Sequence, residues 1–130
     1  MIVLDAAAAV SALSGSSAAR DVLASEPCDA PEIVDLEVAS VLHRLALSGS
    51  LTAEQSNSAI DVWRKLGIVR HPHPPLLERV WELRHNLSAY DAAYAALAEG
   101  LEAELVTMDA RPASAPGLRC AVRVLPSRGP

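Results

Sequence analysis

Ile2-Val3-Leu4-Asp5, followed at once by Ala6-Ala7-Ala8-Ala9, is a short apolar run that ends on a carboxylate and gives way to helix-forming residues. Three consecutive aliphatic residues suit a strand buried on both faces, and alanine has the highest helix propensity. The strand-then-acid pattern recurs at Leu105-Val106-Thr107-Met108-Asp109. Pro27 to Pro31, Ile68 to His71 and Cys120 to Leu125 read as three more short strands. Helical stretches lie among them: Ala6 to Leu13, about Ala18 to Ser25, Glu32 to Leu47, Thr52 to about Leu66, Pro74 to about His85, and Ser88 to Glu99. Strands alternating with helices imply right-handed crossovers and a parallel sheet covered on both faces. Such a sheet opens its crevice at the carboxyl ends of its strands, where Asp5 and Asp109 both fall.

The helix boundaries carry local signals. Glu32 to Leu47 places apolar residues at 34, 38, 41, 42 and 45, one helical stripe, and Gly49 ends it. Thr52 with Gln55 is a capping box, and Gly67 closes that helix. Ser88 opens the last helix and Gly100 is its expected stop. Ser127 to Pro130 reads as a frayed end, and the chain has no internal repeat.

The 130 residues make one domain, 1–130. Hydrophobic residues are 51% of the chain but aromatics only 3%, with no Phe, so the core must be Ala, Leu and Val. Small side chains of this kind favour helices packed closely on a small sheet. A net charge of −5 excludes a general basic field for nucleic acid, so a polyanion has to bind locally. Arg111, Arg119, Arg123 and Arg128 face no acid after Asp109, which makes a local cationic edge there.

No secretory signal or membrane span is read, since the early apolar run is broken by Asp5 and nothing approaches about 20 apolar residues. Cys28 and Cys120 lack metal or redox spacing and read as reduced, unlinked thiols in a cytoplasmic protein. GxGxxG, GxxxxGK and GxSxG motifs are absent, which removes the usual warrants for dinucleotide, P-loop and serine-hydrolase chemistry. His71-Pro72-His73 lacks a third ligand and reads as a loop, and Trp63 and Trp81 read as core or interface anchors.

Four acids remain in awkward places. Asp5 and Asp109 end apolar runs; Glu37 borders the stripe of Val34, Val38, Val41 and Leu45; Asp91 lies among Ala89, Tyr90, Ala92, Ala93 and Tyr94 with no base at helical spacing. Each also has a plain structural role open to it. Asp5 and Asp109 can cap the helices that follow, Asp91 can complete a capping box with Ser88, and Glu37 can pair with Arg44. Taken together, a cluster of uncompensated carboxylates needs a counter-ion, and all-oxygen ligation selects Mg²⁺ or Mn²⁺ over zinc.

The same residues carry a resemblance that covers nearly the whole chain. Ile2-Val3-Leu4-Asp5-Ala6, Asp35-Leu36-Glu37-Val38 with Val41-Leu42, Leu87-Ser88-Ala89-Tyr90-Asp91-Ala92-Ala93-Tyr94 with Ala98-Glu99, and Leu105-Val106-Thr107-Met108-Asp109-Ala110-Arg111 occur in order, followed by Ala115-Pro116-Gly117-Leu118. In this the sequence resembles PIN-domain ribonucleases, specifically the VapC toxins of type II toxin–antitoxin pairs. The resemblance implies an α/β, PIN-like three-layer fold with a five-stranded, mainly parallel sheet in the order 3-2-1-4-5, flanked by helices. It also implies that Asp5, Glu37, Asp91 and Asp109 form an acidic metal pocket, with Thr107 as an accessory hydroxyl.

The activity implied is Mg²⁺- or Mn²⁺-dependent hydrolysis of RNA, leaving a 5′-phosphate and a 3′-hydroxyl. The partners implied are an RNA substrate, a cognate antitoxin that lays a segment over the site, and a second copy of the chain in a homodimer. Arg111, Arg119 and Arg123 are then candidate contacts to the RNA backbone. Ala7 stands where the family often has Ser, and Pro112 and Ser114 where Leu and Arg are common. A metal-dependent phosphatase acting on small molecules and a non-catalytic interaction module are the alternatives at this stage.

Overall fold

In the computed structural model, residues 1–126 are described and fall into a repeating order of strand and helix. The strands are β1 (Ile2–Leu4), β2 (Cys28–Pro31), β3 (Val69–His71), β4 (Glu104–Thr107) and β5 (Val122–Val124). The helices are α1 (Ala6–Leu13), α2 (Ser17–Ser25), α3 (Val34–Leu47), α4 (Ala53–Lys65), α5 (Leu77–Glu82) and α6 (Ala89–Leu101). Pro74–Leu76 and Pro112–Ser114 are single 3₁₀ turns. The frayed end expected at Ser127 to Pro130, with Arg128, lies outside the described residues.

The sheet order is β3-β2-β1-β4-β5, and the pairings between neighbours are all parallel. β1 is the middle strand, and Ile2, Val3 and Leu4 are at most 1% exposed. Its register, Leu4 opposite Val106, puts Asp5 beside the end of β4, where the Asp5 N–H donates to the Val106 carbonyl at 3.1 Å. Helices α1, α2, α3 and α4 pack on one another, while α5 packs on α6 and α6 lies along β1, β2 and β4. Residues Ala92 to Ala98 of α6 are buried without a break, five of the seven being alanine: Tyr94, Ala96, Leu97 and Ala98 pack in the core with the sheet, and Ala92 and Ala95 against Leu83.

Several boundary signals act as expected. Thr52 and Gln55 form both bonds of the capping box, and Ser48-Gly49 turns the chain after α3 with Gly49 at φ +80°. Two expectations need correction. Gly100 does not stop α6: it lies within the helix, and the turn is made by Glu102 at φ 53°, whose N–H bonds back to the Ala98 and Glu99 carbonyls. Gly67 does not close α4 through a left-handed turn either, because Leu66 already takes extended backbone.

Ion pairs tie the outer parts together. Asp35 on α3 accepts from the Trp63 indole at 2.8 Å and from the Arg70 guanidinium, also at 2.8 Å, with Arg70 5.5 Å from the Trp63 ring centre. Arg79 bonds Glu99 on α6 and the Gly117 carbonyl, each at 2.6 Å, so the segment before β5 is held to α5 and α6. His71 bonds Asp29 on the neighbouring strand at 2.6 Å, and His73 accepts the Ile33 N–H at 3.0 Å. Both histidines therefore serve local structure. Trp63 is core, whereas Trp81 is 67% exposed and carries the Arg84 guanidinium over its ring. Cys28 and Cys120 are free thiols.

Candidate active site

Each acid reaches the carboxyl edge of the sheet for its own local reason. Asp5 is the N-cap of α1, its Oδ1 accepting the Ala8 N–H at 2.9 Å. Its Oδ2 accepts from the Thr107 hydroxyl at the end of β4, a residue with no exposed surface. Thr107 Oγ1 also accepts the Asp109 N–H at 3.1 Å, so one hydroxyl links the acids that end β1 and β4. Capping and a place in the site are therefore compatible for Asp5, because the two roles use different oxygens.

Glu37, in the first turn of α3, does not pair with Arg44; its Oε1 accepts the Tyr94 hydroxyl at 2.6 Å. Ser88 caps α6 by accepting the Asp91 N–H at 3.1 Å. The Asp91 side chain makes no return bond to Ser88, so only half of the capping box forms and this carboxylate has no hydrogen-bond or ion-pair partner among the described residues.

The electrostatics separate these acids from Asp109. Burial raises the Asp5 carboxyl above its ordinary value; the bonds from Thr107 and Ala8 oppose the rise, and the charges of Asp91 and Glu37 add to it. Burial also pushes the Tyr94 phenol far above its ordinary value, helped by Glu37, Asp5 and Asp91. Asp109 is different. Its Oδ1 accepts the Arg111 N–H at 2.9 Å and its Oδ2 accepts the Arg111 guanidinium at 2.8 and 2.5 Å, which lowers its carboxyl below the ordinary value.

The structure thus brings Asp5, Glu37 and Asp91 into one electrostatic cluster around Tyr94 and Thr107, with Asp109 at its edge and turned onto Arg111. Arg119 and Arg123 do not join it. Arg123 bonds Glu104, which begins β4, and Glu26, which precedes β2, so it lies at the amino edge of the sheet. The Arg119 backbone N–H bonds Glu99, eight residues beyond Asp91 on α6, or about 12 Å along the helix axis. As placed, no three His, Cys, Asp or Glu side chains among the described residues are grouped to hold a metal ion. The donor chemistry still fits a hard divalent cation: the clustered groups are all oxygen, and Asp5 is a half-buried carboxylate with no basic side chain bonded to it.

A fold and an acidic crevice of this kind define a class, and comparison with known proteins names it. The PIN domain family matches residues 2–118, and the chain belongs to that family. Within it the chain belongs with the VapC ribonucleases. It is 46% identical over 126 residues to a VapC ribonuclease of Mycobacterium bovis, covering 97% of this chain and 99% of the relative. Ribonuclease VapC1 of Mycobacterium tuberculosis is 43% identical over 128 residues, covering 95% and 96%. Among solved structures, VapBC2 from Rickettsia felis, bound to a DNA fragment from its promoter, gives a TM-score of 0.69 at 18% identity over 95% of this chain and 98% of that one. The Mycobacterium tuberculosis toxin VapC20, which cleaves the sarcin-ricin loop, gives a TM-score of 0.59 at 19% identity, over 81% of this chain and 87% of that one. These two structures share the fold.

Proposed function

We propose that this chain is a divalent-metal-dependent endoribonuclease toxin, neutralised by a cognate antitoxin, in which Asp5, Glu37, Asp91 and Asp109 would hold Mg²⁺ or Mn²⁺. The observation that carries the reading is the group of Asp5, Glu37 and Asp91 at the carboxyl edge of the sheet, none of them bonded to a basic side chain, in a chain of VapC type. A cation bound there supplies positive charge to face the scissile phosphate and an acidified water to attack it.

The protein's own residues prepare that chemistry. Thr107 and the Ala8 N–H fix both oxygens of Asp5, so its orientation is set before any ligand arrives. Asp91 rides on a helix seated tightly on the sheet. For Asp109 to turn inward, Arg111 must let go, and the freed guanidinium, already 89% exposed, then stands beside the site as a contact for the RNA backbone. Arg123 is paired at the amino edge of the sheet and the Arg119 backbone is tied to Glu99, about 12 Å along α6 from Asp91, so Arg111 is the arginine of the three nearest the cluster.

The partners follow from the same features. An antitoxin segment that covers the site should bring positive charge, since the cluster lacks its own. A homodimer is supported by apolar groups left in solvent: Leu36 at 68%, Leu77 at 57%, Trp81 at 67% and Tyr90 at 59% exposed. Leu77 and Tyr90 line one shallow groove with Ile33 and Val80, and Trp81 is one turn beyond Leu77. No helix among the described residues is long and apolar enough to cross a membrane, consistent with action in the cytoplasm.

Incubation of structured RNA with the purified chain, in EDTA and then with Mg²⁺ or Mn²⁺ restored, tests the reading on one gel. Cleavage is expected only with the metal, and cleavage that survives EDTA would end the metal-hydrolase assignment.

A further inference from the structure

We propose that Tyr94 is a positioning residue of the site: its buried hydroxyl holds one oxygen of Glu37 and so aims the other into the acidic cluster. The proposal deepens the metal-site reading above and rests on it.

Three observations carry it. Tyr94 is 3% exposed, in the buried run of α6, so its ring is fixed by packing rather than by its hydroxyl. Its O–H donates to Glu37 Oε1 at 2.6 Å across two helices, a bond between residues 57 apart in sequence. It follows Asp91 by three positions on α6, which places the two on one helical face.

Its chemical type matters as much as its place. A lysine or arginine here would orient Glu37 equally well, but it would cancel the charge that attracts a cation. A phenol supplies direction without charge. It also has one proton to give, so it engages one lone pair of Glu37 and leaves Oε2 available. Thr107 likewise donates to Asp5, whose other oxygen accepts the Ala8 N–H, so neutral hydroxyls, one from a strand and one from a helix, orient two of the clustered carboxylates. Partners of this kind, one bond removed from a metal, typically change its affinity by about 10- to 100-fold when removed.

The test uses calorimetric titration of Mn²⁺ into the wild type, Tyr94→Phe, Glu37→Gln, the double variant and Val10→Ala, a core substitution that perturbs packing only. About tenfold weaker binding is expected for Tyr94→Phe, no change for Val10→Ala, and a double variant no weaker than Glu37→Gln alone, because Tyr94 acts through Glu37. Wild-type affinity in Tyr94→Phe, or a full tenfold loss on top of Glu37→Gln, would overturn the proposal. Asp91→Asn separates the two levels. If it abolishes Mn²⁺ binding while Tyr94→Phe does not weaken it, the site stands and the Tyr94 role falls; if the wild type binds no Mn²⁺, both fall.

A second measurement does not depend on the folding of Tyr94→Phe. Fluorotyrosine incorporated into Tyr90→Phe leaves Tyr94 as the single tyrosine, and its ¹⁹F resonance should move with added Mg²⁺ along the binding curve. A resonance that stays put while Mg²⁺ binds would contradict the link to Glu37.

Discussion

At the amino edge and along the outer helices, carboxylates meet arginines: Glu104 and Glu26 share Arg123, Glu99 holds Arg79, and Asp35 holds Arg70. At the carboxyl edge, Asp5 and Glu37 are bonded by hydroxyls and a backbone N–H, and Asp91 has no bonded partner, only the charge of Arg111 nearby. Both regions are built from the same few residue types in one small chain. A fold that can neutralise its acids in one place and leaves them bare in another concentrates negative charge where an incoming cation can supply what the protein withholds. Asp109 lies between the two regimes, compensated by Arg111 in a bond that is exposed and local.

The contrast breaks most sharply at Asp91. Asp91→Asn should reduce RNA cleavage by orders of magnitude while leaving the metal-free protein as stable as the wild type or more so, because a like charge is removed. The stabilisation that wild type gains from added Mg²⁺ should shrink in the variant. Thermal melts with and without Mg²⁺, beside one cleavage assay, check all three; a destabilised, fully active variant would make Asp91 a capping residue only.

Arg79→Met should do the reverse. It leaves Glu99, whose side chain is 11% exposed, without its partner and frees the Gly117 carbonyl, at a cost of about 2 kcal/mol of stability, with cleavage per folded molecule unchanged. Urea denaturation and an activity assay at low denaturant separate the two readouts.

Arg111→Ala sharpens the intermediate case. Freed from its partner, Asp109 should favour the cation, so Mn²⁺ affinity is expected to rise a few-fold while RNA affinity falls. The salt dependence of RNA binding should lose a slope of about 0.7 to 0.9, the share of one phosphate contact. Equal Mn²⁺ affinity in wild type and variant would show that the fork onto Asp109 offers no competition.

The two regions also respond to pH with opposite sign. Asp35 and Glu99 titrate below their ordinary values of 3.8 and 4.5, so the stability they contribute is present above those values and lost on acidification. For Asp35 the cause is its bonds from Arg70; for Glu99, burial works upward and is outweighed by Arg79 and the Arg119 N–H. Asp5 titrates above 3.8, so its contribution is present below that value and lost as pH rises through the raised one. Melts in EDTA should therefore show a small gain for Asp5→Asn over wild type at neutral pH that vanishes near pH 3 to 4. Saturating Mg²⁺ should reverse the neutral-pH difference.

Much of this was legible in the linear sequence where a signal was local. Apolar runs ending on Asp5 and Asp109 gave the strand ends and hence the crevice, and Thr52 and Ser88 announced the helices that follow them. Partnerships across the sheet were not legible. Arg123 looked free because its partners, Glu104 and Glu26, are 19 and 97 residues away and meet it only through the register of parallel strands. Gly100 looked like a stop because glycine commonly is one, but the left-handed turn falls on Glu102, where the chain must reverse into β4. Tyr94 passed as one more apolar residue of α6, although its spacing of three from Asp91 was a sign that it faces the same way. Nothing in the sequence itself showed that Arg111 would fold back onto Asp109.

The unbroken buried stretch of α6 sets a tolerance on the whole arrangement. Ala92, Ala95 and Ala98 have no exposed surface; Ala98 packs in the core with the sheet, and Ala92 and Ala95 pack with Leu83 on the other side of the helix. A valine at one of them adds two carbons where none fit, and such overpacking typically costs about 1 to 3 kcal/mol and shifts backbone. At Ala98 the added bulk would press α6 away from the sheet, and with it Asp91 and Tyr94 from the end of the strand that precedes Asp5; at Ala92 or Ala95 it would press on Leu83 instead. Side chains with no charge and no proton to give thus set how far apart the clustered acids stand, and mutational drift there is limited by volume rather than by chemistry.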